Sequence, residues 1–301
     1  MNDLVTIGLN DNSPKGAAVK ERGVSSQTTL RDPIELPGVG LHTGVPCRVR
    51  LTPAPADFGL AFQRMDLPLK PLIAARADAV RETRLGTQIE GEAGASVRTV
   101  EHLLAALSLK AIDNARIEID ADEPPVADGS AREFVDAIDA AGVVPLDAPR
   151  TTLRIVRALE VRDGARFVRV EPGEGRRWRV DIDFEDAAIG AQSVAIDLDD
   201  PRDVDRIASA RTFCRRSEIE AMRAAGFARG GSLDNAIVVD GATILNEGGL
   251  RDPLEFALHK ALDLVGDLAL LGTPVFGVVT ASRPGHDLNA ALARAIARGL
   301  V

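Results

Sequence analysis

The chain has 301 residues, 45% hydrophobic and 27% charged, which describes a folded globular protein long enough for about two domains. A net charge of −9 and only 3% aromatic residues, with no Tyr, exclude a general nucleic-acid binder, which needs a basic footprint and stacking rings. Cys47 and Cys214 form no disulfide framework and no CxxC metal motif, and no apolar run approaches the ~20 residues of a membrane span, so a cytoplasmic protein without stable membrane insertion is expected.

Residues 1–26 are polar and Gly/Ser/Lys-rich and lack a signal-peptide core, and they predict a flexible N-terminal tail. From Gln27 the pattern becomes ordered. Residues 28–36 read as a strand, followed by PGVGLHTG, where Gly38, Gly40 and Gly44 around His42 mark a tight loop of no phosphate-binding spacing. Strands are predicted over 48–51 and 59–64. Thr99 can cap a helix VEHLLAALSL with Glu101 and His102 in its first turn. That pair reads either as chemistry or as a favourable helix-terminal carboxylate beside an exposed His. Residues 115–119 alternate as a strand, and Ser130 with Glu133 forms a capping box for a helix ending at Gly142.

Asp147-Ala148-Pro149 is the linker candidate, dividing a first domain, 27–148, from a second, 149–301. Strands follow over 152–155, 166–171 and 178–184. A short helix opens at Ser217 and Glu220 and stops at Gly226. A short strand at 236–239, the segment 243–245 before a turn at 246–249, a strand at 275–280 and a closing helix at 288–297 complete the chain. Strands and helices occur in both halves without strict βαβ alternation. The expected fold class is therefore α+β: two domains, each a β-sheet layered with α-helices.

Residues 252–272, DPLEFALHKALDLVGDLALLG, read as one buried helix, with Asp252 as N-cap, Pro253 at the first position, Glu255 in a capping box, and Gly272 and Pro274 as the stop. At 100° per residue, Glu255, His259, Lys260, Asp263, Gly266 and Asp267 share an arc of roughly 140°, and every other position is apolar. A solvated stripe would favour Lys, Glu, Arg and Gln; Asp inside a long apolar helix needs partners. His259 and Asp263, at i and i+4, can reach one metal ion. His102 is a candidate third ligand, which would leave a position open for catalysis, with Glu101 as a base beside it. Asp267, one turn on, can orient His286 and hold it protonated. The residues alone leave the pairing of His102 with His259 across the chain open.

Seven segments, in order, resemble the UDP-3-O-acyl-N-acetylglucosamine deacetylases, zinc enzymes of lipid A biosynthesis in Gram-negative bacteria: GVGLHTG, RTVEHLLAAL, DNARIEIDADEPPVADGSA, ARTF, GGSLDNAIVV, LNEGGLRDPLEFALHKALDLVGDL and RPGHDLN. The resemblance runs from about Thr28 to Asn289. It implies an active site between two domains of similar topology. It implies zinc (ferrous iron fits the same donors) on His102, His259 and Asp263, with Glu101 as general base. It implies His286, partnered by Asp267, as oxyanion stabiliser and acid, and Thr212 as a hydroxyl on the acetyl oxygen. It implies Lys260, Phe184 and Asp183 at the nucleotide, with Phe213, Leu41 and Gly231 also at the substrate. The insert at about 214–239, with Ile219, Met222, Ala236 and Val238, is implied to form an acyl passage. Cys214-Arg215-Arg216 departs from that pattern by its polarity, and Cys214 is expected to be a packed thiol. The expected partner is the acylated UDP-sugar, acted on by a monomer without nucleic acid. A zinc amidohydrolase for another N-acyl sugar, or a non-catalytic metal-stabilised protein using Glu101 or Asp267 as fourth ligand, are the competing readings.

Overall fold

A computed structural model describes residues 6–8 and 16–299 of the chain. The fold is α+β. A five-stranded sheet belongs to the first half, and an eight-stranded sheet is built largely from the second. In the smaller sheet the strand Ala115–Ile119 lies between Pro46–Pro53, antiparallel, and Leu60–Arg64, parallel. Its alternation points Ala115, Ile117 and Ile119 into the core. In the larger sheet Val275–Ser282 is central, parallel to Arg176–Asp183 and antiparallel to Arg166–Glu171. Two small sheets stand apart: Val80–Glu82, Gln88–Glu90 and Ser96–Val97 in the first half, and Phe213–Arg215, Ile237–Asp240 and Thr243–Ile244 in the second.

Among the described residues six α-helices cover these sheets: α1 Glu101–Leu109, α2 Arg132–Ala141, α3 Pro201–Ser209, α4 Ile219–Ala224, α5 Glu255–Ala269 and α6 His286–Arg298. Helix α5 packs on α1, α3 and α6 and on two strands of the larger sheet, so it is enclosed on nearly every side. That enclosure explains its apolar perimeter. One continuous core joins both halves through Leu103, Leu104 and Leu107 of α1 and Leu258, Leu262 and Val265 of α5.

Several boundaries differ from expectation. The predicted loose tail to Ser26 is partly a strand: Ala18–Leu30 pairs antiparallel with Val143–Ile155. Its middle residues are mostly exposed, so apolar alternation was weak; backbone pairing holds it instead. The strand expected over 28–36 is divided at Arg31-Asp32-Pro33, where the chain turns into Ile34–Val39. The expected linker at Asp147-Ala148-Pro149 lies inside the strand Val143–Ile155, and the register shifts on either side of Pro149, which has no N–H to give the ladder. The halves are thus joined by a β-ribbon. Helix α3 was not anticipated, although Asp200 caps it through Arg202 N and Pro201 sits at its first position.

Candidate active site

Helices α1 and α5 cross where Gly266 meets the backbone of Glu101: a Cβ built on Gly266 would lie 2.0 Å from the Glu101 carbonyl oxygen. Glycine in the polar stripe is therefore a packing requirement, because it lets the first turn of α1 sit directly on α5. That contact delivers Glu101 and His102 to the face carrying His259, Asp263 and Asp267. All five side chains are buried. Thr99 does not cap α1 as expected; it has φ +53° and its hydroxyl donates to Glu123 Oε1 at 2.8 Å. Helix α5 likewise begins at Glu255, because the Asp252 carboxylate is held by Leu254 N at 2.8 Å and by Arg206 at 2.9 Å.

His102, His259 and Asp263 each offer one ligand atom, and the three atoms lie within 4.8 Å of one another. Asp263 Oδ1 is 3.3 Å from His259 Nε2 and 3.6 Å from His102 Nε2. That oxygen is buried and has no hydrogen-bond partner among the described residues. A buried carboxylate oxygen left unpaired beside two imidazole nitrogens is costly unless a cation takes it up, so the donor set fits a divalent metal. His259 Nδ1 faces the Ala210 carbonyl at 3.1 Å, which sets that nitrogen as donor and leaves Nε2 free to ligate. Burial pushes His259 down to about 3, so its imidazole is neutral. Burial works against ionising Asp263, but the positive charges of Lys260 and His286 hold it well below the usual carboxylate range.

His286, the first residue of α6, completes the cluster. Its Nδ1 donates to Asp267 Oδ2 at 2.9 Å, and its Nε2 lies 3.8 Å from Glu101 Oε1. Burial alone would lower the His286 pKa, but the charges of Asp267 and Glu101 dominate and raise it to about 10. Burial raises Glu101, with His286 and His102 opposing part of the effect. A buried carboxylate and a partly buried imidazolium therefore face each other beside the candidate metal-binding triad.

Near the cluster lies a cavity of about 520 Å³ whose lining is mostly apolar. Leu41, Thr212, Phe213 and Gly231 line it, as do Ile219, Met222, Ala236 and Val238 of the insert. Phe213 meets His259 edge-on at 6.1 Å, so the wall of the cavity reaches the triad. Cys214 also lines the cavity, and burial raises its pKa, which keeps the thiol protonated. Phe184 stands behind Phe213 at 5.5 Å between ring centres. Lys260 Nζ donates to Asp263 Oδ2 at 2.8 Å and sits over the Phe213 ring at 5.5 Å. Asp183 is not gathered into the cluster; it is half-exposed and paired with Arg283.

Three site residues escaped sequence reasoning. Thr87 N donates to Glu101 Oε2 at 2.9 Å and Thr87 Oγ1 to Asp267 Oδ1 at 2.5 Å. Asn289 Nδ2 donates to Asp267 Oδ2 at 2.9 Å, and its place in RPGHDLN, one turn after His286, was the available signal. Glu123, fully buried, accepts from the backbone N–H groups of His42 and Thr43 and so folds the GVGLHTG loop around itself. A Cβ on Gly40 would lie 2.4 Å from its carboxylate, which accounts for one glycine of that loop. His42 Nε2 in turn bonds the Leu85 carbonyl at 2.8 Å, bracing one edge of the cavity.

The family model of UDP-3-O-acyl N-acetylglycosamine deacetylase matches residues 27–298. A UDP-3-O-acyl-N-acetylglucosamine deacetylase of Anaeromyxobacter sp. (strain Fw109-5) is 48% identical over 271 residues, covering 90% of this chain and 88% of the relative. Proteins of the same description from Phenylobacterium zucineum (strain HLK1) and Bdellovibrio bacteriovorus (strain ATCC 15356 / DSM 50701 / NCIMB 9529 / HD100) are 45% and 42% identical, covering 90% of this chain and 93% and 89% of theirs. With a family match over nearly its whole length and relatives this similar, the chain belongs to the UDP-3-O-acyl N-acetylglycosamine deacetylase family.

Proposed function

We propose that the chain hydrolyses the acetamide of UDP-3-O-acyl-N-acetylglucosamine, giving acetate and the free amine, as a step of lipid A biosynthesis. The observation that carries this reading is the facing pair Glu101 and His286 beside His102, His259 and Asp263, next to an apolar cavity whose wall residue Phe213 packs edge-on against His259. Zinc held by the triad, with ferrous iron a fit to the same donors, would supply a Lewis acid that polarises the amide carbonyl and acidifies water. Glu101 takes the proton from the attacking water; its raised pKa makes it a stronger base than an exposed carboxylate. Protonated His286, oriented by Asp267, faces the developing negative charge on the amide oxygen together with the Thr212 hydroxyl, and gives its Nε2 proton to the leaving nitrogen. The lining at Ile219, Met222, Ala236 and Val238 suits the 3-O-acyl chain, while Lys260 suits phosphate and Phe184 suits the uracil face. Leu41, Phe213 and Gly231 shape the route between them. Asp183 serves the nucleotide only by leaving Arg283.

One chain carries all of these groups, so a monomer is sufficient. Both cysteines are free and no described helix is long and apolar enough to cross a membrane, in keeping with action in the cytoplasm. The test compares turnover of the acylated UDP-sugar with that of UDP-N-acetylglucosamine by the zinc-loaded protein. A strong preference for the acylated substrate is expected; equal rates would refute the assignment and favour an amidohydrolase for another N-acyl sugar. Glu101→Ala should keep the metal and lose activity by a factor of about 10²–10⁴.

A further inference from the structure

Glu255 is the first residue of α5, one turn before His259, and its side chain is completely buried. A buried carboxylate at that place needs partners, and it has four. Oε1 accepts from Arg211 N at 3.1 Å and Arg211 Nε at 2.8 Å; Oε2 accepts from Arg211 Nη2 at 3.1 Å and Arg251 N at 2.7 Å. Arg211 Nη2 also donates to the Gly249 carbonyl at 2.8 Å. The carboxylate thus grips Arg211 by its backbone and its guanidinium together.

The two neighbours of Arg211 both belong to the site. The Ala210 carbonyl faces His259 Nδ1 at 3.1 Å, and Thr212 lines the cavity beside Phe213. Thr212 is further tied by its N–H to the Gly129 carbonyl at 2.8 Å and by its own carbonyl to Ile237 N at 2.8 Å. Glu255 and His259 therefore hold the same three-residue segment from one helix face. If that segment moved, His259 would lose the acceptor that fixes its tautomer, and Thr212 would leave the cavity wall.

We propose that the Arg211–Glu255 ion pair is a positioning device for the active site. It presents the Ala210 carbonyl to His259 and the Thr212 hydroxyl to the substrate amide. The inference rests on the metal and substrate roles given above. Outer partners of metal-bound histidines govern affinity because they fix ring orientation and the ligating nitrogen, and losing one typically costs 10–100-fold. Breaking one half of a buried pair mainly strands a charge, whereas replacing both halves with apolar residues of similar volume is often neutral for stability. The double variant Arg211→Met/Glu255→Leu therefore separates a structural role from a positioning one.

The experiment measures four quantities on the zinc-loaded full chain: thermal midpoint, zinc affinity by chelator competition, and kcat and KM for UDP-3-O-acyl-N-acetylglucosamine. The expected result is a midpoint lowered by the two backbone N–H groups, of Arg211 and Arg251, that lose their acceptor, zinc affinity weaker by about 10–100-fold, and a reduced kcat with KM little changed because the acyl cavity is intact. Wild-type zinc affinity and kcat in the double variant would overturn the proposal. If that variant does not fold, Glu255→Gln at low temperature is read by the same measurements, and unchanged zinc affinity there overturns it equally. Should wild-type protein bind zinc without deacetylating the substrate, the functional reading fails, and the loss of zinc affinity still decides the positioning role.

Discussion

Asp267 holds residues from distant parts of the chain at once: one carboxylate oxygen receives His286 Nδ1–H at 2.9 Å, and the other receives the hydroxyl of Thr87 at 2.5 Å. Thr87 also gives its backbone N–H to Glu101 Oε2 at 2.9 Å. The proposed base and the partner of the proposed acid are therefore braced by one residue. Thr87→Val should keep the Glu101 contact and lose the Asp267 contact. Activity should fall, with the larger part of the loss restored in Thr87→Ser; equal activity of the Val and Ser variants would show that the hydroxyl plays no part.

The pH dependence follows from the two shifts. The proposed mechanism requires Glu101 ionised and His286 protonated. It should rise through the Glu101 pKa, which burial raises, and fall as His286 deprotonates at about 10. Asp267→Asn removes the charge that raises His286, so the alkaline limb of kcat/KM should move to lower pH and kcat should drop by about 10²–10⁴. The linkage has a stability counterpart. The folded pKa of His286 lies above its ordinary 6.5, so its contribution is complete below that pH and is lost as pH rises toward about 10. Urea midpoints of metal-free protein should decline over that window, and the decline should be smaller in Asp267→Asn.

Gly266→Ala tests the helix crossing. The added Cβ would lie 2.0–2.8 Å from backbone atoms of Glu101, which cannot yield as a flexible side chain can. Overpacking of this kind costs about 1–3 kcal/mol or more. Denaturant unfolding should show that loss. Because α1 must move to relieve it, zinc affinity should fall with stability. A variant as stable as the wild type and fully active would show that the helices separate at little cost.

The sequence held much of this site, but unevenly. The i, i+4 spacing of His259 and Asp263 on α5 and the next turn at Asp267 could be read from periodicity alone, because helix geometry fixes which residues share a face. Glu101 and His102 could be joined to them only by family resemblance, since the contact is made through Gly266 and leaves no periodic trace. Thr87, the Ala210 carbonyl and Arg211 were invisible for a related reason: they act through backbone groups or over long chain separations, and side-chain type does not announce that. The ribbon of Ala18–Leu30 with Val143–Ile155 was missed because hydrogen bonds, not apolar burial, hold its exposed middle.

Metal removal should separate catalysis from folding. The triad sits on α1 and α5, whose apolar faces belong to the continuous core, so chelation should abolish deacetylation and leave the far-ultraviolet circular dichroism unchanged. Zinc should restore activity. It should also raise the thermal midpoint, because it binds only the folded site and relieves the unpaired Asp263 oxygen. In Asp263→Ala the midpoint should no longer respond to zinc; a response of wild-type size would place the metal elsewhere.

The cavity sets a quantitative expectation for the acyl chain. Each buried methylene is worth about 0.8 kcal/mol, so kcat/KM should climb by about fourfold per methylene while the chain lengthens inside the cavity, and level off where it emerges into water. The position of that break measures how much chain the cavity accepts. Ala236 is 8% exposed and lines the cavity, so Ala236→Phe should fill part of the space and move the break to shorter chains. Turnover of a substrate already shorter than the new break should be nearly unchanged, because Glu101, His286 and the triad are untouched. A uniform loss at every chain length would mean that the cavity does not hold the acyl group.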